Sequence, residues 1–165
     1  TAIARIDDHA YIHGSRVSRM LKQLAAGSSA CITVTLLDGI VVARSAFNSS
    51  MNYRSVVILG SGEKVTGEDK KIALDAFTEH LIPGRTADIR VSRSKELAAT
   101  TVVRFGLGEA SVKISEGPPS DEKSDYESNV WAGVIPLRLQ SGKPQPDPRL
   151  KPGISMPAYI GKRKT

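Results

Sequence analysis

The chain has 165 residues, 40% of them apolar and 24% charged, with a formal net charge of +6 and one cysteine. The length suits a single domain by the usual prior of roughly 100 to 200 residues, and the composition excludes a disordered or collagen-like chain and any intrachain disulfide. The longest apolar runs, such as Cys31 to Leu37, are too short for a membrane-crossing helix. The positive charge is not that of a nucleic-acid binder. Basic residues are spread along the chain apart from Lys162-Arg163-Lys164, and aromatic residues, at 5%, are not interleaved with them as a stacking platform needs. Cys31, in Ala30-Cys-Ile-Thr-Val-Thr, reads as a small buried side chain, and its solitude is consistent with a reducing, cytoplasmic setting.

Thr1-Ala-Ile-Ala-Arg-Ile alternates as a strand and has no leader-like opening. Asp7-Asp8 is a turn pair, and His9 to His13 is the return strand of a hairpin. Tyr11-Ile-His-Gly-Ser-Arg-Val-Ser-Arg-Met-Leu then reads as strand end, tight turn and helix. Ser15 is the expected cap, Val17, Met20, Leu21 and Leu24 form the apolar face, and Gly27 is the stop. Gly14, the hydroxyls of Ser15 and Ser18, and the guanidinium groups of Arg16 and Arg19 make this corner a candidate anion site. A capped amphipathic helix with solvated arginines is the plainer alternative.

Ala30 to Leu37 is a β-branched strand, Asp38-Gly39 the strongest hairpin signal, and Ile40 to Arg44 the return strand, which places Arg44 and Ser45 at a strand end. Ala46 to Met51 reads as a connection. Asn52 to Gly60 is a strand with a polar opening, in which Tyr53 and Ser55 point one way and Arg54 the other, and it continues through a glycine bend to Thr66. Thr66 is the expected cap of a helix with Ile72, Ala73, Ala76, Phe77 and Leu81 on its apolar face, ended by Pro83-Gly84. Ser94 to Ala99 is one more helical turn, and Thr100 to Phe105 and Ala110 to Ile114 are strands. Gly117 to Asn129 reads as an exposed, mobile loop, Val130 to Leu139 as a final strand whose Pro136 suits an edge, and Ser141 onward as an extended tail.

No CxxC, HExxH, GxSxG, Walker or GxGxxG pattern is present, and the three histidines lack metal-ligand spacing, so no metal site is expected. Strands with glycine bends and two modest helices fit a mainly β, α+β barrel that holds a ligand at its surface. Three blocks then carry a resemblance: Tyr11 to Leu21, Leu36 to Phe47 with Met51 to Val57, and Gly117-Pro-Pro with Val130 to Leu137. In this order and spacing they resemble the pyridoxamine 5'-phosphate oxidase-like family with the FMN-binding split β-barrel, in its branch of flavin-nucleotide-binding and nitroimidazole-resistance proteins.

That resemblance implies a split-barrel domain over residues 1–140, lacking the family's first helix and strands, with 141–165 as the tail. It implies a homodimer with FMN at the subunit interface, a small-molecule substrate, and no nucleic-acid or membrane partner. His13, Gly14, Ser15, Ser18 and Arg19 would meet the FMN phosphate. Arg44, Ser45, Asn52, Tyr53, Arg54 and Ser55 would contact the cofactor from the strand ends, and Trp131 and Arg138 would approach it from the other subunit. His13 would also be the polar group nearest a substrate, hence the catalytic candidate. The activity implied is an FMN-dependent oxidoreductase, with nitro compounds as candidate substrates; a non-catalytic flavin or haem carrier is the alternative.

Overall fold

The structure, a computed structural model, describes residues 1–161; the basic run Lys162-Arg163-Lys164 lies outside the described residues. Eight strands and four helices follow in chain order: β1 (Ile3–Ile6), β2 (His9–Ser15), α1 (Arg19–Ala25), β3 (Ser29–Val42), β4 (Ser50–Ser61), β5 (Glu63–Val65), α2 (Gly67–Leu81), α3 (Ser94–Ala99), β6 (Thr100–Gly106), β7 (Ala110–Ser115), β8 (Gly133–Pro136) and α4 (Ala158–Gly161). The class is α+β, with two four-stranded sheets in the orders β1-β2-β6-β5 and β7-β4-β3-β8. The described residues group into two compact units, one of residues 1–30, 59–109 and 140–161, the other of residues 31–58 and 110–139. No helix among the described residues is long and apolar enough to cross a membrane.

In the first unit the expected hairpin forms. β1 pairs antiparallel with β2 around Asp7-Asp8, and Asp7 takes a left-handed φ of 48° to make the turn. β2 runs two residues further than expected because its whole length pairs antiparallel with β6, from His9 opposite Gly106 to Ser15 opposite Thr100. Ala4, Tyr11, Val65, Ala73, Phe77 and Val102 form the core between this sheet and α2. The remaining α2 positions differ from expectation. Ile72 and Leu81 are about half exposed, and Thr66 makes no side-chain cap bond, so the helix is held by Ala73 and Phe77 and by acidic residues at its positive end.

Helix α1 also starts later than the sequence suggests. Ser18 is the cap, its Oγ accepting from Leu21 N at 3.4 Å, while Ser15 stays in β2 and its Oγ accepts from Val17 N at 3.4 Å. Starting at Arg19 leaves Val17 outside the helix and exposed. Leu21 and Leu24 are buried, while Met20 is not. Gly27 does end the segment, at φ 92°.

Gly62, between β4 and β5, packs against the end of α1. An added Cβ there would stand 2.8 Å from Val103 Cγ1 and 3.0 Å from the Leu24 carbonyl carbon. Gly62→Ala is therefore expected to lower stability by about 1–3 kcal/mol, because the obstruction includes backbone. A urea titration checks this: the midpoint should fall with an unchanged slope, and an unshifted midpoint would show that the joint yields freely.

In the second unit the Asp38-Gly39 hairpin is absent. β3 is one continuous strand through both residues, with Gly39 opposite Pro136 of β8 and Ile40 opposite Ile135. Each residue has another use in the sheet. Asp38 accepts two hydrogen bonds from Arg54 of β4, and a Cβ on Gly39 would stand 2.9 Å from Val134 Cγ1. Glycine here serves close packing instead of a turn. Pro136 does lie in an edge strand, but β8 covers only Gly133–Pro136 of the expected Val130 to Leu139. Cys31 is exposed, since it stands on a part of β3 whose outward positions face solvent.

One face of this sheet carries exposed apolar side chains: Leu36 and Ile40 of β3, Val112 and Ile114 of β7, and Ile135 of β8. The Asp38–Arg54 pair sits among them. Val41 and Ile58 are the buried apolar residues of this unit, so much of its hydrophobic surface lies outside its own core.

Candidate functional site

Strand β2 carries the sequence-predicted corner of the first unit. Tyr11 and His13 lie on the same side of the pleat, so His13 follows Tyr11 toward α2. Its ring stands 4.2 Å from that of Phe77, centre to centre, tilted by 60°. Nδ1 of His13 is buried and has no hydrogen-bond partner. Desolvation by this packing lowers the imidazole pKa below its ordinary value and favours the neutral ring. Buried polar atoms are normally paired. A neutral imidazole with an unpartnered ring nitrogen is suited to ligate a metal or to take a hydrogen-bond partner.

The ring opens on a cleft of about 370 Å³ whose walls include Leu74, Phe77, Leu81, Ile89, Val91 and Leu97. At its rim Arg90 donates to Glu96 through both terminal nitrogens, at 2.9 and 2.5 Å. The floor is held from outside by Lys70, whose Nζ donates to the carbonyls of Leu97 and Thr100 at 2.6 Å each. Sequence reading did not find this cleft. Its outer wall comes from residues 85–93, a 3-10 turn and a connection without apolar periodicity.

The rim gives a pH prediction. The bond from Arg90 and then the backbone N–H of Arg93 lower the Glu96 pKa from an ordinary 4.5 to about 2. A depressed carboxylate stabilises the fold above its unfolded pKa, and that contribution is lost as pH falls from 4.5 toward 2. Amide-exchange protection in α3, taken relative to the intrinsic rate at each pH, is expected to fall over that interval; Glu96→Gln, which lacks the titration, should show a flatter profile. Equal profiles would remove Glu96 from control of the rim.

Of the other predicted contacts in this unit, Gly14 is a packing position, since an added Cβ would meet Leu21 Cδ1 at 2.9 Å. Ser15 and Ser18 both serve local backbone turns. Arg19 is exposed and makes no ion pair among the described residues.

The predicted residues of the second unit are largely committed to neighbouring strands or to the loop after β7. Arg44 donates from its backbone N at 3.0 Å and from Nη1 at 3.1 Å to Asp121, whose side chain is fully buried. The guanidinium also lies 4.7 Å from the centre of the Tyr126 ring, and Arg44 Nε is buried without a partner. The segment read as an exposed, mobile loop is thus pinned by an ion pair and contains a 3-10 turn over Lys123–Glu127. Asn52 Nδ2 donates to the Gly117 carbonyl at 3.0 Å, adding a second tie.

Ser45 organises the turn before β4 by accepting from Asn48 N. Arg54 is held by Asp38, Ser55 shares a 2.9 Å hydroxyl contact with Thr35, and Tyr53 lies under Lys113 at 6.0 Å. Trp131 is two-thirds exposed, its indole folded over Gly133, where a Cβ would meet Cζ2 at 2.9 Å. Arg138 is exposed. The structure therefore assembles Arg44, Asn52 and the loop 117–127 into one cluster, with Asp38–Arg54 as a separate pair. No group of three or more His, Cys, Asp or Glu side chains suited to a metal ion occurs among the described residues.

Residues 1–114 match the family described as pyridoxamine 5'-phosphate oxidase. The chain belongs to this family. Among solved structures it is similar to the FAD and haem binding protein of Mycobacterium smegmatis, with 43% identity over 97% of this chain and 79% of that one, at a TM-score of 0.93. It is similar also to the flavocytochrome Anf3 of Azotobacter vinelandii, with 44% identity over 98% of this chain and 76% of that one, at a TM-score of 0.91. A putative 5-nitroimidazole antibiotic resistance protein of Bacteroides thetaiotaomicron shares the fold at 20% identity, covering 67% of this chain and 63% of its own, with a TM-score of 0.51. No curated protein matches the chain.

Proposed function

We propose that this family member is a flavin-dependent electron-transfer protein that also holds a haem, and that it works as a homodimer. The observation that carries the haem part is the buried, partnerless Nδ1 of His13 beside a cleft that Leu74, Phe77 and Leu97 line on its inner side. Haem iron is commonly held by a neutral imidazole, with apolar side chains against the macrocycle, and His13 with Phe77, Leu74 and Leu97 could supply that pairing. The Mycobacterium smegmatis relative, which binds FAD and haem, and the Azotobacter vinelandii flavocytochrome support the same pairing of cofactors. They also favour FAD over the FMN expected from the sequence.

A bound flavin accepts electron pairs and passes electrons singly; the protein's task is to anchor and orient it. Arg19, exposed beside the hydroxyl-rich start of α1, is the group we assign to the flavin's phosphate. The exposed apolar sheet face of the second unit is the surface we assign to a second copy, since a contiguous apolar patch on a folded chain marks an interface.

Titration of the cofactor-free protein with FAD and with FMN tests the flavin assignment. FAD should bind at least tenfold more tightly than FMN. Arg19→Ala should weaken FAD by about 1.5–3 kcal/mol, the cost of a charge-assisted contact, without moving the melting temperature. FMN binding more tightly than FAD would return the cofactor to the sequence expectation, and an unchanged affinity in the variant would remove Arg19 from the site. Oxidation of reduced nicotinamide with an added acceptor, nitroaromatics included, separates an enzyme from a carrier.

A further inference from the structure

The segment that follows β8 is fixed to the first unit at its far end. Tyr159, in α4, packs against Gly84, where a Cβ would lie 3.7 Å from its ring. Its hydroxyl accepts from Arg85 Nη1 at 3.1 Å and donates to the Asp88 carboxylate. Between this anchor and the 3-10 turn over Arg85–Ala87 the segment leaves a pocket of about 610 Å³. It is distinct from the His13 cleft: no residue lines both.

The pocket's walls are apolar, from Pro144, Pro146, Leu150, Ile154, Met156 and Ile160. Leu150, Ile154 and Met156 remain 46%, 58% and 55% exposed, so the chain gathers these side chains around a space without filling it. A gap lined by such side chains forfeits their contacts, and its size lies within the roughly 300–1,000 Å³ range of small-molecule sites. The charges around it are unequal in their commitments. Asp88 takes the Tyr159 hydroxyl, and Asp147 takes the backbone N–H of Arg149 at 2.7 Å. The Arg85 guanidinium spends one of its donors on Tyr159 and makes no other side-chain hydrogen bond among the described residues, so most of its fork is uncommitted beside the pocket that Arg85 lines.

We infer that this pocket binds an amphipathic carboxylate, with its acyl or aryl body against Leu150, Ile154 and Met156 and its carboxylate on Arg85. Such a ligand would close the gap and bridge the terminal segment to the turn at Arg85, tightening the Tyr159 anchor.

Calorimetric titration of the full chain with decanoate, with 1-decanol as its neutral twin, tests the site. Decanoate should bind at one per chain and at least tenfold more tightly than the alcohol. Arg85→Gln should lose at least tenfold in decanoate affinity. Arg85→Lys keeps the charge and serves if the glutamine variant does not fold; it should retain the preference for acid over alcohol. No decanoate binding, equal binding of acid and alcohol, or an Arg85→Gln chain that binds decanoate unchanged would each overturn the assignment.

Discussion

His13→Ala is expected to give a folded protein that keeps its flavin and loses its haem. The reasoning starts from the imidazole's surroundings. Phe77 and the helix behind it exclude water from one ring nitrogen, and the chain provides nothing to replace it. An unpaired buried polar atom costs about 1–3 kcal/mol, which a ligand bound at His13 would recover. Removing a metal's side-chain ligand exceeds the 10–100-fold loss typical of disturbing the shell behind it, so haem affinity should fall on the order of 100-fold or more. Imidazole added to the variant should restore the Soret band, because the truncated side chain leaves room for it. An unaltered haem spectrum in His13→Ala would assign the holding of a haem to another residue and sink this part of the account.

The second large effect is on stability. Asp121→Ala should destabilise the fold by about 3 kcal/mol or more, because it strands a mostly buried guanidinium without its counter-charge. Arg44 would lose bonds to both its backbone N and its Nη1. The loop 117–127 would lose its main tie, leaving Asn52 to Gly117. Asp121→Asn keeps the shape and one acceptor oxygen, and should fall between the two. Thermal melts of the three proteins check the order. If Asp121→Ala melts with the unaltered chain, water reaches Arg44 more freely than its burial suggests.

Where the sequence was legible, a local pattern had no competitor. The alternation in Thr1–Ile6 and the turn pair Asp7-Asp8 led directly to β1 and β2. The family blocks led to the α+β fold class. Asp38-Gly39 shows the limit. Its turn signal is real, but Arg54 and Val134 outbid it through contacts made across the sheet.

Asp121 was invisible for the same reason. It lies 77 residues from Arg44 in sequence, in a run whose Gly, Pro, Ser and acidic residues read as solvent-exposed. Arg44, Asn52 and Arg54 were legible as polar residues at strand ends. That three of their side chains are held by Asp121, Gly117 and Asp38 depends on pairing that no spacing encodes. The cleft beside His13 needed the fold as well, since Ile89 and Val91 reach it from an aperiodic connection.

The visible absorption spectrum of the purified protein, with its cofactors released and identified by mass, tests the central claim most directly. The account predicts a Soret band with flavin absorption beneath it, and FAD and haem each released at about one per chain. A protein that shows neither band, and gains neither when supplied with FAD and haem, would contradict it.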